Sequence, residues 1–289
     1  MRYLIGLALL LISVSSSAHV FFKLEHPQQP TSYLFGTMHL ICQADVDIPP
    51  VVQQAFVETA QLVVEINLTD EAQIAEMRAN LTQQPTDYLT QHLSSADEQK
   101  LAELIERVLQ IPYVVAKEMR PFLIQSMFLQ HYLDCDGNSL LVDQALIERA
   151  NHANKPVIGL ETALQQLQLF DSIPLADQVA SLVDVAFNPN TTKQDMIELE
   201  QRYLDDDSTK LYEYITTQDE FTAEFEQIML AERNQRWIEQ FKEILPQQPT
   251  FIAVGAGHLG GSHGLIQLLQ QHGYQLTPIT VNFSGSVAH

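Results

Sequence analysis

Two stretches at opposite ends of the chain share one design. Tyr33-Leu34-Phe35-Gly36-Thr37-Met38-His39 runs from an apolar segment into a glycine, with a histidine three residues on. Phe251-Ile252-Ala253-Val254-Gly255-Ala256-Gly257-His258 repeats it near the far end. Short apolar runs bounded in this way read as buried strands. A glycine lets the backbone turn sharply as a strand ends. The histidine can then point into the crevice beyond the carboxyl ends of an open α/β sheet, where ligands bind. The simplest fold that uses both units brings the two chain ends together and places His39 beside His258. Spacing alone is weak, because Gly260-Gly261-Ser262-His263 is a third match that ends no strand.

The segments between the two units give the fold class. Val20 to Leu24 and Ser32 to Phe35 read as strands joined by a turn at His26-Pro27-Gln28-Gln29-Pro30. Pro49-Pro50 opens a helix, and Leu62-Val63-Val64-Glu65-Ile66 is a β-branched strand. That strand–helix–strand order predicts a parallel pair with a crossover helix. The middle reads as helical. Ser95-Ala96-Asp97-Glu98 is a capping box. Helices are expected over 122–133, 140–153, 162–170, 175–187, 191–204 and 211–245, with a short strand over 155–159. A strand over 251–254, a helix over 264–272 and a strand over 275–281 close the chain. Asp205-Asp206-Asp207 reads as a solvated loop. The expected fold is therefore α/β: a mixed, mainly parallel central sheet built from both chain ends, with a large helical insertion. In residue terms this is one domain over 19–289. Its core is 19–70, 155–170 and 246–283, and its helical insertions are 71–154 and 171–245.

The formal net charge of the 289 residues is −21, from 36 acidic against 15 basic side chains. Binding to a phosphate backbone needs clustered cations, so nucleic acid is excluded as a partner, as is anchoring to an anionic membrane surface. Arg2, the apolar run from Tyr3 to Val14 and the small residues Ser16-Ser17-Ala18 read as a signal peptide over 1–18. A retained anchor is the alternative reading, but the run is short for a membrane span, and no other stretch is long enough. The expected location is periplasmic or secreted. Cys42 and Cys135 are the only cysteines, and in an oxidising compartment they can form one disulfide, the alternative being two buried thiols.

Carboxylates complete the candidate site. Glu65 lies inside an apolar strand and Glu161 follows another. An ionised carboxylate there is costly unless paired or bound to a metal. Arg233-Asn234 supplies the expected arginine partner. Asp143 opens a helix, where the dipole alone favours an acid. Two imidazoles (His39, His258) and two carboxylates (Glu65, Glu161) without a thiolate suit a divalent transition metal, with Mn, Co or Fe as well as Zn in range. Such an ion would acidify a bound water. Glu65, Glu161 and Arg233 are the catalytic candidates. The turn Gly260, Gly261, Ser262 and His263, leading into a helix N-terminus, forms the expected substrate-binding set with Asp143 and Asn234.

Together these pieces resemble the TraB/GumN family, whose animal relatives are the Tiki proteases. The matching residues are Tyr33 to His39, Val64-Glu65, Asp143-Gln144-Ala145-Leu146, Lys155 to Thr162, Glu232-Arg233-Asn234 and Val254 to Gly261, in the family's order. The resemblance implies a metalloprotease with two Gly-x-x-His motifs. It implies a Mn2+ or Co2+ requirement, with Zn2+ as a further candidate, and a peptide or protein substrate. The family looks distantly related to the erythromycin esterases and to the haem-binding ChaN proteins. That relation leaves two alternatives: a non-catalytic haem- or metal-complex-binding protein, and a metal-free esterase-like hydrolase using His and Glu.

Overall fold

The computed structural model describes residues 19–42, 47–82, 85, 87–133, 135, 139–218 and 221–283. The expected signal segment, 1–18, lies outside the described residues. Six strands form one sheet: β1 (Phe21–His26), β2 (Gln29–Thr37), β3 (Gln61–Ile66), β4 (Val157–Glu161), β5 (Thr250–Gly255) and β6 (Gln275–Pro278). Their spatial order is β4-β3-β5-β2-β1-β6. β4, β3, β5 and β2 are consecutive parallel strands, and β1 runs antiparallel to both β2 and β6. This is the mixed, mainly parallel α/β sheet that the apolar runs predict.

One detail of the topology differs from expectation. β2 and β3 run parallel but are not neighbours, because β5, from the far end of the chain, lies between them. β5 is buried from Thr250 to Val254, and β3 from Gln61 to Glu65. Strands apolar on both faces belong in the middle of a parallel sheet. Two strands buried along almost their whole length therefore sit side by side inside the parallel part of the sheet.

The helical regions divide between two cores. Helices Pro50–Glu58, Val142–His152, Glu232–Ile244 and Leu265–Gln271 bury residues against the sheet, among them Phe56, Leu146, Trp237 and Leu269. A second core joins Tyr88, Leu101, Ile105, Phe128, Val179 and Leu182. Parts of both insertions thus build a separate apolar centre, while the rest covers the sheet.

Several local expectations are corrected. The capping serine is Ser94, which accepts from the Asp97 N–H, and the helix begins at Ser95, one residue earlier than a Ser95 cap would place it. The expected 211–245 helix is broken into Ser208–Thr216, Ala223–Glu226, a π-helical turn Gln227–Ala231 and Glu232–Ile244. The β-branched pair Thr216-Thr217 weakens the helix, and Thr222 caps a fresh start by accepting from the Phe225 N–H. Asp206 is buried instead of solvated. Its carboxylate takes the His19 Nδ1 at 2.6 Å, the Val20 N–H at 3.0 Å and the Val281 N–H at 2.8 Å. It thereby fastens the start of β1 and the segment after β6 to the helical layer. The cysteines form the expected disulfide, Cys42–Cys135. Beside it, Ile41 and Leu140 exchange both backbone hydrogen bonds.

Candidate functional site

Strand register brings the two Gly-x-x-His units side by side. β2 and β5 pair with Gly36 opposite Val254 and Thr37 opposite Gly255. Glu65 lies near the carboxyl end of β3, and Glu161 is the last residue of β4. Four consecutive parallel strands therefore each deliver one candidate at the same edge of the sheet: Glu161, Glu65, His258 and His39. This is where ligands of α/β sheets bind.

The glycines have a different purpose from the expected sharp turn. Among the described residues the glycines with positive φ are Gly261 and Gly273, so Gly36 and Gly255 are not there for left-handed backbone. A Cβ on Gly36 would sit 2.6 Å from Leu259 Cδ1 and 3.0 Å from Ala256 Cα. A Cβ on Gly255 would sit 3.1 Å from Glu65 Oε1, which accepts the Gly255 N–H at 2.7 Å. Both glycines grant clearance: one for the turn after β5, the other for a carboxylate.

Arg233 is the hub. Its Nε lies 3.1 Å from both Glu161 oxygens, and its Nη2 lies 2.9 Å from Glu161 Oε2 and 2.5 Å from Glu65 Oε2. Nη1 donates to Met229 O at 3.1 Å and reaches His258 Nε2 at 3.0 Å. A guanidinium has five N–H groups, and all five have partners here. The side chain is 6% exposed. Arginine is therefore the partner of both strand-end glutamates, as the sequence suggests. Burial pushes the Glu65 pKa up, but His258 in its protonated form, the Arg233 guanidinium, His39 and the Gly255 N–H outweigh it and leave the carboxyl at about 2.

His258 is fixed from both sides. Its Nδ1 is 2.6 Å from Asn234 Oδ1. The Asn234 Nδ2 donates to the carbonyls of His258 and His263, at 3.1 and 2.8 Å, so the amide orientation is set. An amide oxygen only accepts, hence Nδ1 carries the proton and Nε2 presents its lone pair to Arg233. Burial pushes the ring down to about 3, so it is neutral at physiological pH. Asn234, expected to bind substrate, is buried, and both polar atoms of its side chain are committed to this loop.

His39 has the opposite environment. Its side chain is 79% exposed, and Nδ1 lies 2.8 Å from Asp143 Oδ2. The other Asp143 oxygen accepts from Thr37 Oγ1 at 2.7 Å. Asp143 thus joins the strand end of β2 to the first turn of its own helix and turns the His39 Nε2 outward. The hydrogen bond to Asp143 raises His39 to about 9. The shift is toward imidazolium.

The remaining expected residues fall around this centre. Gly260 and Gly261 pack against Tyr212. A Cβ on Gly261, whose φ is +78°, would meet the Tyr212 hydroxyl at 2.4 Å. Ser262 and His263 are exposed, with Ser262 Oγ 3.2 Å from His263 Nδ1. The helix they lead into is short, Leu265–Gln271, and the Ile266 N–H already donates to Leu259 O. Three contributors escaped the sequence reading. Gln166 donates to Glu65 Oε2 at 2.9 Å. Arg236 stands 3.6 Å from Glu161. The Trp237 ring lies 4.4 Å from the His258 ring and under the Arg233 guanidinium. Trp237 carried a signal, being the chain's sole tryptophan four residues after Arg233 and so on the same helix face. Gln166 carried none.

The donors as arranged do not fit a metal ion. Glu65, Glu161 and His258 Nε2 have the right chemistry, but their lone pairs are directed at Arg233. Among the described residues no group of three or more His, Cys, Asp or Glu side chains is disposed to hold one.

No curated protein and no solved structure matches the chain significantly. The sequence profile of the TraB/PrgY/gumN family matches residues 20–278, which contain all six strands and every candidate side chain named above; the chain belongs to the TraB/PrgY/gumN family.

Proposed function

We propose that the chain is an exported hydrolase that cleaves peptide bonds, or an ester in their place, in the crevice at the carboxyl edge of the sheet. The observation that carries the reading is the contrast between two histidines on neighbouring strand ends. The His39 Nδ1 faces a carboxylate, which favours imidazolium, and its Nε2 is free to meet a substrate. The His258 Nδ1 faces an amide oxygen, and its Nε2 carries a lone pair. Environments that push two titratable groups apart divide them into acid and base. His39 is suited to protonate a leaving nitrogen or oxygen, with Asp143 holding the ring in position. His258 is the base candidate once its Nε2 parts from Arg233, with Asn234 fixing its tautomer. Glu65 and Glu161 neutralise and hold Arg233, and through it they hold the floor of the crevice. The disulfide Cys42–Cys135 supports the exported location. Among the described residues, no helix is long and apolar enough to cross a membrane.

A metal-dependent peptidase is the second reading. The specific observation favouring it is that two carboxylates and one neutral imidazole nitrogen surround one buried cation, Arg233. A bound Mn2+ or Co2+ would supply Lewis acidity there. The haem-binding alternative has less support, because the His258 Nε2 that iron would need faces Arg233.

The test is cleavage of a peptide and ester panel by purified protein, with and without exhaustive chelation, alongside His39→Ala and His258→Ala. The proposal expects chelator-resistant cleavage that both variants abolish. Chelator-sensitive cleavage would favour the metal reading. Cleavage unaffected by either variant, or none on any substrate, would refute the site.

A further inference from the structure

We propose that removal of residues 1–18 creates a structural ion pair: the α-ammonium freed at His19 seats against the buried carboxylate of Asp206. The inference rests on a cut between Ala18 and His19 and is independent of the hydrolase reading. Hydrolysis of that peptide bond by water, catalysed by a protease that processes exported chains, leaves a carboxylate on Ala18 and an ammonium on His19.

Two observations meet at this residue. The sequence pattern predicts the cut before His19, and the structure places His19 against a carboxylate that lacks a strong cation. Asp206 is 8% exposed, and among the described residues its one ion-pair partner is the His19 ring. Burying an ionised carboxylate is costly unless it is paired. Its other contacts are neutral, the N–H groups of Val20 and Val281. A carboxylate offers about four lone-pair positions on its two oxygens. Oδ2 takes the His19 ring and Val281, while Oδ1 takes Val20, so Oδ1 has capacity for one more donor. The His19 nitrogen is a single residue, at most ~3.6 Å of chain, from the Val20 N–H already bound there. Asp206 itself holds φ at 56°, a backbone region that persists in a non-glycine residue only where its contacts over-determine it.

The pair lies at the root of both histidine units. The Val20 carbonyl accepts the Gly36 N–H at 2.7 Å, and the Gly36 carbonyl accepts from the Tyr203 hydroxyl at 3.0 Å. Asp207, the next residue, caps the helix Ser208–Thr216 by accepting the Lys210 N–H. That helix carries Tyr212, which packs on Gly260 and Gly261 just after His258. One carboxylate thus fastens the start of β1, the strand that leads to His39 and the helix against the His258 turn. Besides the His19 ring, the titratable groups about Asp206 are Tyr203, which feels its charge, its chain neighbours Asp205 and Asp207, and Lys210 on Asp207. The segment after β6, 279–283, brings none.

The full chain is expressed for export, and the first residue of the purified protein is read by mass spectrometry. A terminus other than His19 overturns the proposal. The protein is then compared with its Nα-acetylated form, which lacks the terminal charge. The free form should resist urea better, by about tenfold in the folding equilibrium, the equivalent of one unit in the pKa of an amine beside a carboxylate. Titration of the amine by NMR should place it above the ordinary ~7.7–8.0. The gain is then full below that range and is lost as pH rises through the folded value. In Asp206→Asn the free and acetylated forms should unfold together. Equal midpoints for the two wild-type forms overturn the proposal, as does a difference that survives Asp206→Asn. If Asp206→Asn does not fold, the amine titration decides, and an amine at its ordinary value overturns the proposal. Failure of the protein to cleave any peptide would leave these outcomes unchanged.

Discussion

The Nδ1 of His258 stands 2.6 Å from Oδ1 of Asn234, and that single contact sets the tautomer on which the site depends. Asn234→Ala removes it and strands the buried carbonyl of His258 and the partly buried one of His263. The expected loss is about 2–4 kcal/mol of stability, read as a lower denaturation midpoint. The exposed neighbour Gln235→Ala should cost a few tenths of a kcal/mol. Equal effects at both positions would contradict the assigned role.

Breaking the charge cluster from one side should be worse than removing a surface pair. Glu65→Gln leaves Arg233 with a single buried carboxylate, and Arg233→Met leaves two without a cation. Removing one partner of a buried ion pair costs about 3–5 kcal/mol. Exposed Lys242, paired with Glu239 at 2.6 Å, is the control: Lys242→Ala should change stability by about 0–1 kcal/mol. Thermal unfolding of the three variants checks the order.

Acid should destabilise the fold in two stages. His258 is held at about 3 against an ordinary 6.5, and Glu65 at about 2 against 4.5. In both cases the unfolded chain binds the proton first as pH drops. The contribution of these two groups is therefore full above about pH 6.5, falls from there as unfolded His258 would protonate, and falls again below about 4.5 with Glu65, while the raised His39 adds stability that is lost as pH rises toward about 9. Urea unfolding at a series of pH values should show this. A His258→Gln variant should start less stable and lose less between neutrality and about pH 5. A pH profile identical to wild type would count against a buried neutral imidazole.

Gly261 should resist substitution for two separable reasons. Its φ is +78°, and a Cβ would collide with Tyr212. Gly261→Ala is expected to cost more than the ~1 kcal/mol of left-handed backbone strain alone. Tyr212→Ala should remove the steric part, so the double variant should lose less than the sum of the singles. Strict additivity would contradict the packing argument.

The disulfide closes a sequence separation of 93 residues and ties the loop after His39 to the segment before Asp143. Chain-entropy arguments give such a closure about 4 kcal/mol. Cys42→Ser/Cys135→Ser should lower the melting temperature and loosen the His39–Asp143 pair. Unchanged melting in the oxidised wild type and the double variant would contradict this.

The central strands were legible in the sequence because each carries a short apolar run, and the candidate residues stood out because they interrupt or follow those runs; β6, Gln275–Pro278, is mostly exposed and carries no such run. Glu65 is conspicuous in Leu62-Val63-Val64-Glu65-Ile66 for that reason. The insertion of β5 between β2 and β3 was not legible, since local patterning carries no neighbour order. Nor was the burial of Asp206, whose partners His19 and Val281 lie at the two far ends of the described chain. The π-helical turn before Arg233 left no signature that helical periodicity would reveal. The convergence of Glu65 and Glu161 on an arginine follows from the cost of burying charge, yet the arginine's claim on His258 as well needed three dimensions.

The most direct test of the site is the rate of peptide cleavage by His39→Ala relative to wild type. The ring is at the surface, with a side-chain exposure of 79%, so the variant should fold, with its melting temperature lowered only by the loss of an exposed pair with Asp143. If His39 is the proton donor of a hydrolase, the rate should fall by at least about 100-fold. A folded His39→Ala that cleaves at the wild-type rate would contradict the account.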